Sequence, residues 1–484
     1  MSNNSDAEKL LKDGILLETT MSLAYEAANK FDFASRFARE FGLLLMGQAI
    51  KFFDISGIKD RAYSHVGIYA DPGMGKDFCW KLIENSGIFP LDVIRVTRLD
   101  RVTSAVLVGT ISERQIVPPP VVTEDVLFVG EFSTLMHKSE AEETAADIRV
   151  LLETGEYKRR LAKVVGLKEA LLDPRYREHL LKQVEMCKNM GMLLDLDKGE
   201  IHVQSSTSWI VSSARFGSGT IFGRPLLNLG DLDRFKWISF LPTSEERQSV
   251  VSVVGSLPPV TLNESLVKTT CEAWRLLFAT IRRLTKNGCL AIARDEVSYH
   301  ARKKAWEQTV QEVRDLYPEI TEQHERILIN LRSHAEFNRL VYQHAALKQF
   351  QRGATQGFSE PKEFVLNLVE DGEFARGLFL HEYVPGLLDL IEDLLHKQPK
   401  RHKRVSLSEL GEKIVLDALK EGPKSREELT EPIKKAGISV PTLDCIILPR
   451  LIQKFVICKP KHNLYKLRQN CETCDWKDTC RSGN

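Results

Sequence analysis

The sequence predicts an α/β fold with a mostly parallel sheet, then a long helical region, then a small helical domain closed by a β-hairpin. Three observations predict it. The apolar run VGIYA (residues 66–70) ends in a glycine-containing loop and is followed by the helical pattern FCWKLIENSG, a strand–loop–helix. Further strand candidates at Asp92–Val96, Asp125–Val129 and Trp209–Ser213 alternate with helical stretches, the rhythm of a parallel sheet. Residues 260–395 are strongly helical and have no clear strand.

Taken in order, residues 1–60 read as an N-terminal helical segment. Leu10, Leu11, Ile15 and Leu16, then Ala24, Ala27 and Ala28, then Phe41, Leu43 and Ile50 recur at roughly helical spacing, which predicts a lead-in packed on the next domain. Residues 61–250 form the α/β domain. Its rhythm is interrupted at 167–195 by a charged helical insertion between the basic stretch YKRRLAKV and the strand EIHVQ, which reads as a hairpin carrying helices. Residues 251–395 form a helical lid, and 396–404 are a basic linker. Residues 405–468 read as three helices and a short hairpin, the pattern of a winged helix. Residues 469–484 are a cysteine-rich tail.

Composition narrows the function. The chain has 484 residues, 43% hydrophobic and 27% charged, which excludes a mostly disordered chain or a disulfide-dense miniprotein. No run approaches the ~20 apolar residues of a membrane span. The polar, acidic start is unlike an export signal, so a cytoplasmic, nucleoid-associated protein without a membrane partner is expected. The net charge is +1, so nucleic acid would be met through local basic patches rather than bulk charge. Nine cysteines in such a chain point to free thiols or metal ligands.

Four groups of residues carry chemistry. The loop ADPGMGKD places Pro72, Gly73, Met74, Gly75, Lys76 and Asp77 between strand and helix. Glycines let backbone N–H groups wrap phosphates, and a lysine reaches the β- and γ-phosphates. Ala70 and Asp77 depart from the usual pattern of glycine and hydroxyl. The strand VLFVGE ends in Glu131, placed to activate an attacking water, with Gly130 where a metal-binding aspartate is usual. A carboxylate at Asp77 would either replace that ligand for Mg²⁺ or repel the phosphates. Lys158, Arg159, Arg160 and Lys163 form a basic run in the hairpin, suited to a DNA strand or to solvent. Cys471, Cys474 and Cys480 have C-x2-C-x5-C spacing, suited to a [4Fe–4S] cluster or, alternatively, zinc, with Cys458 as the first choice of fourth ligand and Cys445 or His462 as alternatives.

Several segments in order resemble the AAA+ ATPases of the minichromosome maintenance (MCM) helicase type: ADPGMGKD, TSAVLVGTI, DVLFVGEF, LLETGEYKRRLAKV, IVSSAR and LGDLDRFKW, with the winged helix at the end. The cysteine string is similar to the cluster-binding tail of RecB-like nucleases, without matching nuclease carboxylates. The MCM resemblance implies an AAA+ phosphate-loop sheet with a helical lid, binding ATP with Mg²⁺. It implies that Lys76 binds phosphate, Glu131 orients water, and Arg234 reaches a neighbouring subunit's nucleotide as an arginine finger. Arg215 stands where the family has a sensor asparagine, and Arg332 is the expected second-sensor arginine. The basic hairpin would line the pore of a ring, expected to be a homo-hexamer. The function so implied is a ring-shaped ATP-driven helicase or translocase on single-stranded or forked DNA. The departures at Asp77, Gly130 and Arg215 keep a second expectation open, a weakly hydrolysing assembly factor that recruits protein partners through its winged helix and tail. In the helix Pro441–Gln453, rich in Ile and Leu, an interruption is expected at Pro449.

Overall fold

The computed structural model describes residues 2–28, 31–55, 58–70, 75–99, 102, 104–112, 115–130, 141–214, 233–241, 248, 262–285, 289–292, 296–318, 320–355, 361–397, 407–435, 443–453, 457–461 and 463–467. They fall into two compact units, Met1–Lys397 and Gln398–Asn484.

The first unit is mixed α/β. Its centre is a five-stranded sheet of β1 (Val66–Ala70), β2 (Val96–Leu99), β3 (Val126–Val129), β4 (Ser208–Ala214) and β5 (Lys236–Phe240). The spatial order is β5-β1-β4-β3-β2, and every pairing is parallel. All carboxyl ends of the strands therefore share one edge, and all amino ends the other. β1 and β3 are buried along their whole length, as strands covered on both faces must be, hence their unbroken apolar runs. Gly67 is required by a close approach. A Cβ there would lie 2.4 Å from the ring of Trp237, its register partner on β5.

Three sequence expectations change here. The second strand is Val96–Leu99, not Asp92–Val96, because a turn intervenes in which the N–H groups of Val93 and Ile94 both donate to the Pro90 carbonyl. Lys236–Phe240 is a strand that the charged context of DLDRFKW hides. Residues 1–60 are not all helix and the lid is not free of strands. Phe52–Ile55 pairs antiparallel with Ile58–Arg61 across a Ser-Gly sequence, and parallel with Cys289–Ile292.

The N-terminal segment is core rather than a lead-in. Helix Asp32–Ile50 is buried from Phe33 to Ile50 with the sole exception of the half-buried Arg36. Phe41 packs edge-on against Phe89 at 4.8 Å, and Phe89 against Trp274 of the long helix Glu264–Leu284 at 5.4 Å. The Trp274 indole N–H donates to Thr20 Oγ1 at 2.9 Å. Residues from the N-terminal segment, the sheet and the lid thus share one hydrophobic core.

A second, antiparallel sheet carries the basic run. Glu156–Arg160 pairs with Glu200–Gln204, which pairs with Met192–Asp195. Between the outer strands lie helices Ala162–Ala170 and Pro174–Asn189, the latter capped by Asp173, whose carboxylate accepts from the Arg175 N–H at 3.0 Å.

The second unit holds helices Leu407–Lys420, Arg426–Lys435 and Leu448–Gln453, and a small antiparallel sheet of Lys424–Ser425, Leu464–Leu467 and Ile457–Lys461. Val415, Leu419, Leu429, Ile433, Ile447 and Leu451 are among its core residues. The third helix changes character just before Pro449: a π-helical segment, Leu443–Ile447, passes into the α-helix Leu448–Gln453, in which the proline, with no N–H to donate, is the second residue. Among the described residues, no helix is long and apolar enough to cross a membrane.

Candidate functional site

The carboxyl edge of the sheet holds the phosphate-loop residues that are described. β1 ends at Ala70, and helix Lys76–Asn85 begins after Gly75. Gly75 has φ 80°, a left-handed conformation that glycine adopts without steric cost. Lys76, Cys79, Trp80 and Ile83 form the buried stripe that seats the helix on the sheet. The amino end of this helix, the positive end of its dipole, thus follows the loop directly, with Lys76 in its first turn, a setting suited to anions. Burial pushes the Cys79 thiol far above its ordinary range, so it is packing rather than a nucleophile. Pro72, Gly73, Met74, Glu131 and Arg215 lie outside the described residues.

Asp77 is paired with a cation of the neighbouring strand. Its Oδ1 accepts from Arg98 Nη2 at 2.8 Å. Arg98 lies on β2 in register with Phe128, and its guanidinium carbon is 5.8 Å from the centre of the Phe128 ring. Phe128 stacks on Trp80 at 4.5 Å and 12°. A Cβ added at Gly130 would lie 3.8 Å from the same Arg98 Nη2. The Gly130 carbonyl accepts from the Ser212 hydroxyl. Mg²⁺ asks for a near-octahedral set of oxygens. At the two protein positions expected to supply them, one carboxylate is bound to a guanidinium and the other is missing. These residues do not fit the dication.

The amino edge is built differently. Arg234 precedes β5 by two residues, and Lys236 is the register partner of Val66 at the start of β1. Arg234 Nη2 donates to Glu153 Oε2 at 2.9 Å. Arg332 donates to Glu153 Oε1 at 2.5 Å and to both oxygens of Asp233 at 2.7 and 2.9 Å. Hydrogen bonds from Arg332 and Arg234 hold the Glu153 carboxyl below the usual carboxylate range. The structure therefore brings the expected finger and the expected second sensor together, and places neither beside Lys76. Four strand intervals of ~3.3 Å put about 13 Å of sheet between the two edges.

Behind these arginines lies a buried ionic network that sequence reasoning missed. Lys236 is buried, with Nζ 3.8 Å from Glu40 Oε2 and 5.4 Å from the centre of the Tyr383 ring. The Tyr383 hydroxyl donates to Glu40 Oε2 at 2.5 Å. Burial pushes the Lys236 ammonium below its ordinary range. Arg339, also buried, pairs with Glu336 and donates from Nε to the Arg61 carbonyl at 3.1 Å. No spacing in the sequence signals the contacts among Lys236, Glu40 and Tyr383, whose partners come from distant segments, whereas Glu336 and Arg339 are an i, i+3 pair on one helix.

In the basic strand, Lys158 and Arg160 are exposed, as is Lys163 just beyond it, while Arg159 donates to Asp147 Oδ2 at 2.9 Å. Three of the four expected cations thus face solvent. In the second unit, Cys458 is half-buried on strand Ile457–Lys461, beside a register shift. Cys471, Cys474, Cys480 and the alternative ligand His462 lie outside the described residues, and among the described residues no group of three or more His, Cys, Asp or Glu side chains could hold a metal ion. No model of a known protein family matches this chain, and no curated protein matches it.

Proposed function

We propose that this chain is an AAA+-type, MCM-like nucleotide-binding protein that assembles head to tail into a ring, a hexamer, around DNA. The observation that carries the reading is the placement of Lys76 and of the Arg234–Arg332 pair on opposite edges of one parallel sheet. An arginine at the amino edge cannot reach phosphates held at the carboxyl edge of its own sheet. It can reach those of a neighbour whose carboxyl edge faces it, and closing the ring satisfies every such interface. Glu131 would then activate water and Arg234 would stabilise the charge of the transition state across the interface. The exposed Lys158, Arg160 and Lys163 would supply a cationic collar for a DNA strand. The second unit would be a winged helix that docks partners, with its cysteine tail holding a [4Fe–4S] cluster or zinc through Cys458.

Two versions of this reading differ in what ATP does. In one the ring is a motor. In the other it binds ATP, turns over slowly and serves as an assembly factor, which the Asp77–Arg98 pair favours because it displaces the expected metal ligands. Steady-state ATP hydrolysis with and without single-stranded DNA separates them. The motor predicts DNA-stimulated turnover that Lys76→Ala abolishes and Arg234→Ala lowers about 10³-fold while leaving nucleotide binding intact. The assembly factor predicts ATP-dependent oligomers with negligible turnover. A chain that neither binds ATP nor assembles with it overturns both.

A further inference from the structure

We infer that Arg98 stands in for the dication of a phosphate-loop site, so that this protein takes a nucleoside triphosphate as the metal-free anion. The inference rests on the nucleotide reading of Lys76. Arg98 Nη2 lies 2.8 Å from Asp77, the residue after the phosphate-loop lysine, and 3.8 Å from where a side chain on Gly130 would begin. It therefore fills the space between the two positions from which a protein would hold a metal against the phosphates. Its placement is built. The register with Phe128 sets the backbone, the guanidinium carbon lies within cation–π range of the Phe128 ring, and that ring is stacked on Trp80 of the phosphate-loop helix.

The chemistry follows from these contacts. A guanidinium repels a dication at this distance, and Asp77 is already its counter-ion. A planar guanidinium also binds phosphate oxygens through two parallel hydrogen bonds. The Asp77 side chain is 62% exposed and that of Arg98 30%, so their pair is weakly held. An incoming phosphate can displace the carboxylate into water and keep the guanidinium. A triphosphate so held lacks a metal bridging its β- and γ-oxygens, which suits a nucleotide that is kept rather than spent.

The test is equilibrium binding of a fluorescent ATP analogue to the full chain, by anisotropy, in excess EDTA and in millimolar Mg²⁺. In millimolar Mg²⁺ most of the nucleotide is the Mg²⁺ complex, so we expect binding there to be weaker than in EDTA by about tenfold or more. Arg98→Ala should weaken binding in EDTA by about tenfold or more, with Arg98→Lys recovering part of the loss as a single-point cation. Thermal melts of both variants check that they fold. Wild-type affinity in EDTA that is no higher than in Mg²⁺, or an Arg98→Ala chain that binds as wild type does in EDTA, overturns the inference while leaving the nucleotide site standing. Absence of binding in both conditions, or binding indifferent to Lys76→Ala, overturns the nucleotide reading and this inference with it.

Discussion

The two edges of the central sheet spend charge in opposite ways. At the amino edge Arg339, Glu336, Lys236 and Glu40 are all buried, and Arg234 and Arg332 converge on Glu153 and Asp233. At the carboxyl edge Lys76 is buried in the first turn of its helix, and the neighbouring Asp77–Arg98 pair is open to water. Buried pairs are costly to break, whereas exposed pairs exchange partners easily. The difference teaches that the amino edge is a fixed surface, shaped before any partner arrives, while the carboxyl edge is adjustable and completes itself on its ligand.

The comparison is broken most directly at Glu336. Glu336→Gln leaves the buried Arg339 guanidinium the longer contact to Asp60, at 3.7 Å, in place of its close carboxylate, and unfolding stability should fall by about 3 kcal/mol in a denaturant titration. A loss under about 1 kcal/mol would mean that the amino edge is no more rigid than its counterpart.

A smaller effect of opposite sign is expected at Lys236. Among the described residues its ammonium has no hydrogen-bond partner, and Glu40 keeps the Tyr383 hydroxyl and the Arg39 guanidinium without it. Lys236→Met should therefore stabilise the protein by about 1–2 kcal/mol. Because burial lowers the folded pKa, the unfolded chain holds more protons in the window between that value and the ordinary 10.5. Wild-type stability should accordingly gain a contribution as pH rises through this window, and the variant should lose that gain. A wild type whose stability follows pH up to 10.5 as that of Lys236→Met does would remove the buried charge from the account.

The smallest effect sharpens the contrast. Asp77→Asn removes one partner of an exposed pair and should move stability by no more than about 0.5 kcal/mol. A melting-temperature drop comparable to that of Glu336→Gln would show the carboxyl edge to be structural as well.

How much of this was legible depends on how far apart the partners are in the chain. The strand at 66–70 and the helix after Gly75 were readable because an unbroken apolar run, a glycine loop and a buried i, i+3, i+4 stripe are local signals. Lys236–Phe240 was not, because five residues with a lysine at their head carry no periodicity of their own. That lysine is buried beside Glu40 and Tyr383, far away in the chain. Cys289–Ile292 was lost among helices for the same reason, its partner strand lying at the other end of the unit. Within the site, Lys76 announced itself through its loop. Arg98 did not, because its role depends on β2 lying beside β3 and so facing the phosphate-loop helix, a matter of strand order. Glu153 and Arg332 meet across 179 residues, and no spacing rule spans that distance.

The small sheet that joins Phe52–Ile55 to Cys289–Ile292 bears on how the protein is made. The N-terminal strand leaves the ribosome with only its hairpin neighbour to pair with. Its other edge must wait for 237 more residues, the interval from Phe52 to Cys289, or roughly 10–50 s at ordinary elongation rates. During that time the nascent chain carries an open strand edge beside a helix, Asp32–Ile50, whose apolar faces have not yet met Trp274. Synthesis of this protein therefore passes through a long sticky interval that ends only when the lid emerges, and slower elongation would lengthen it.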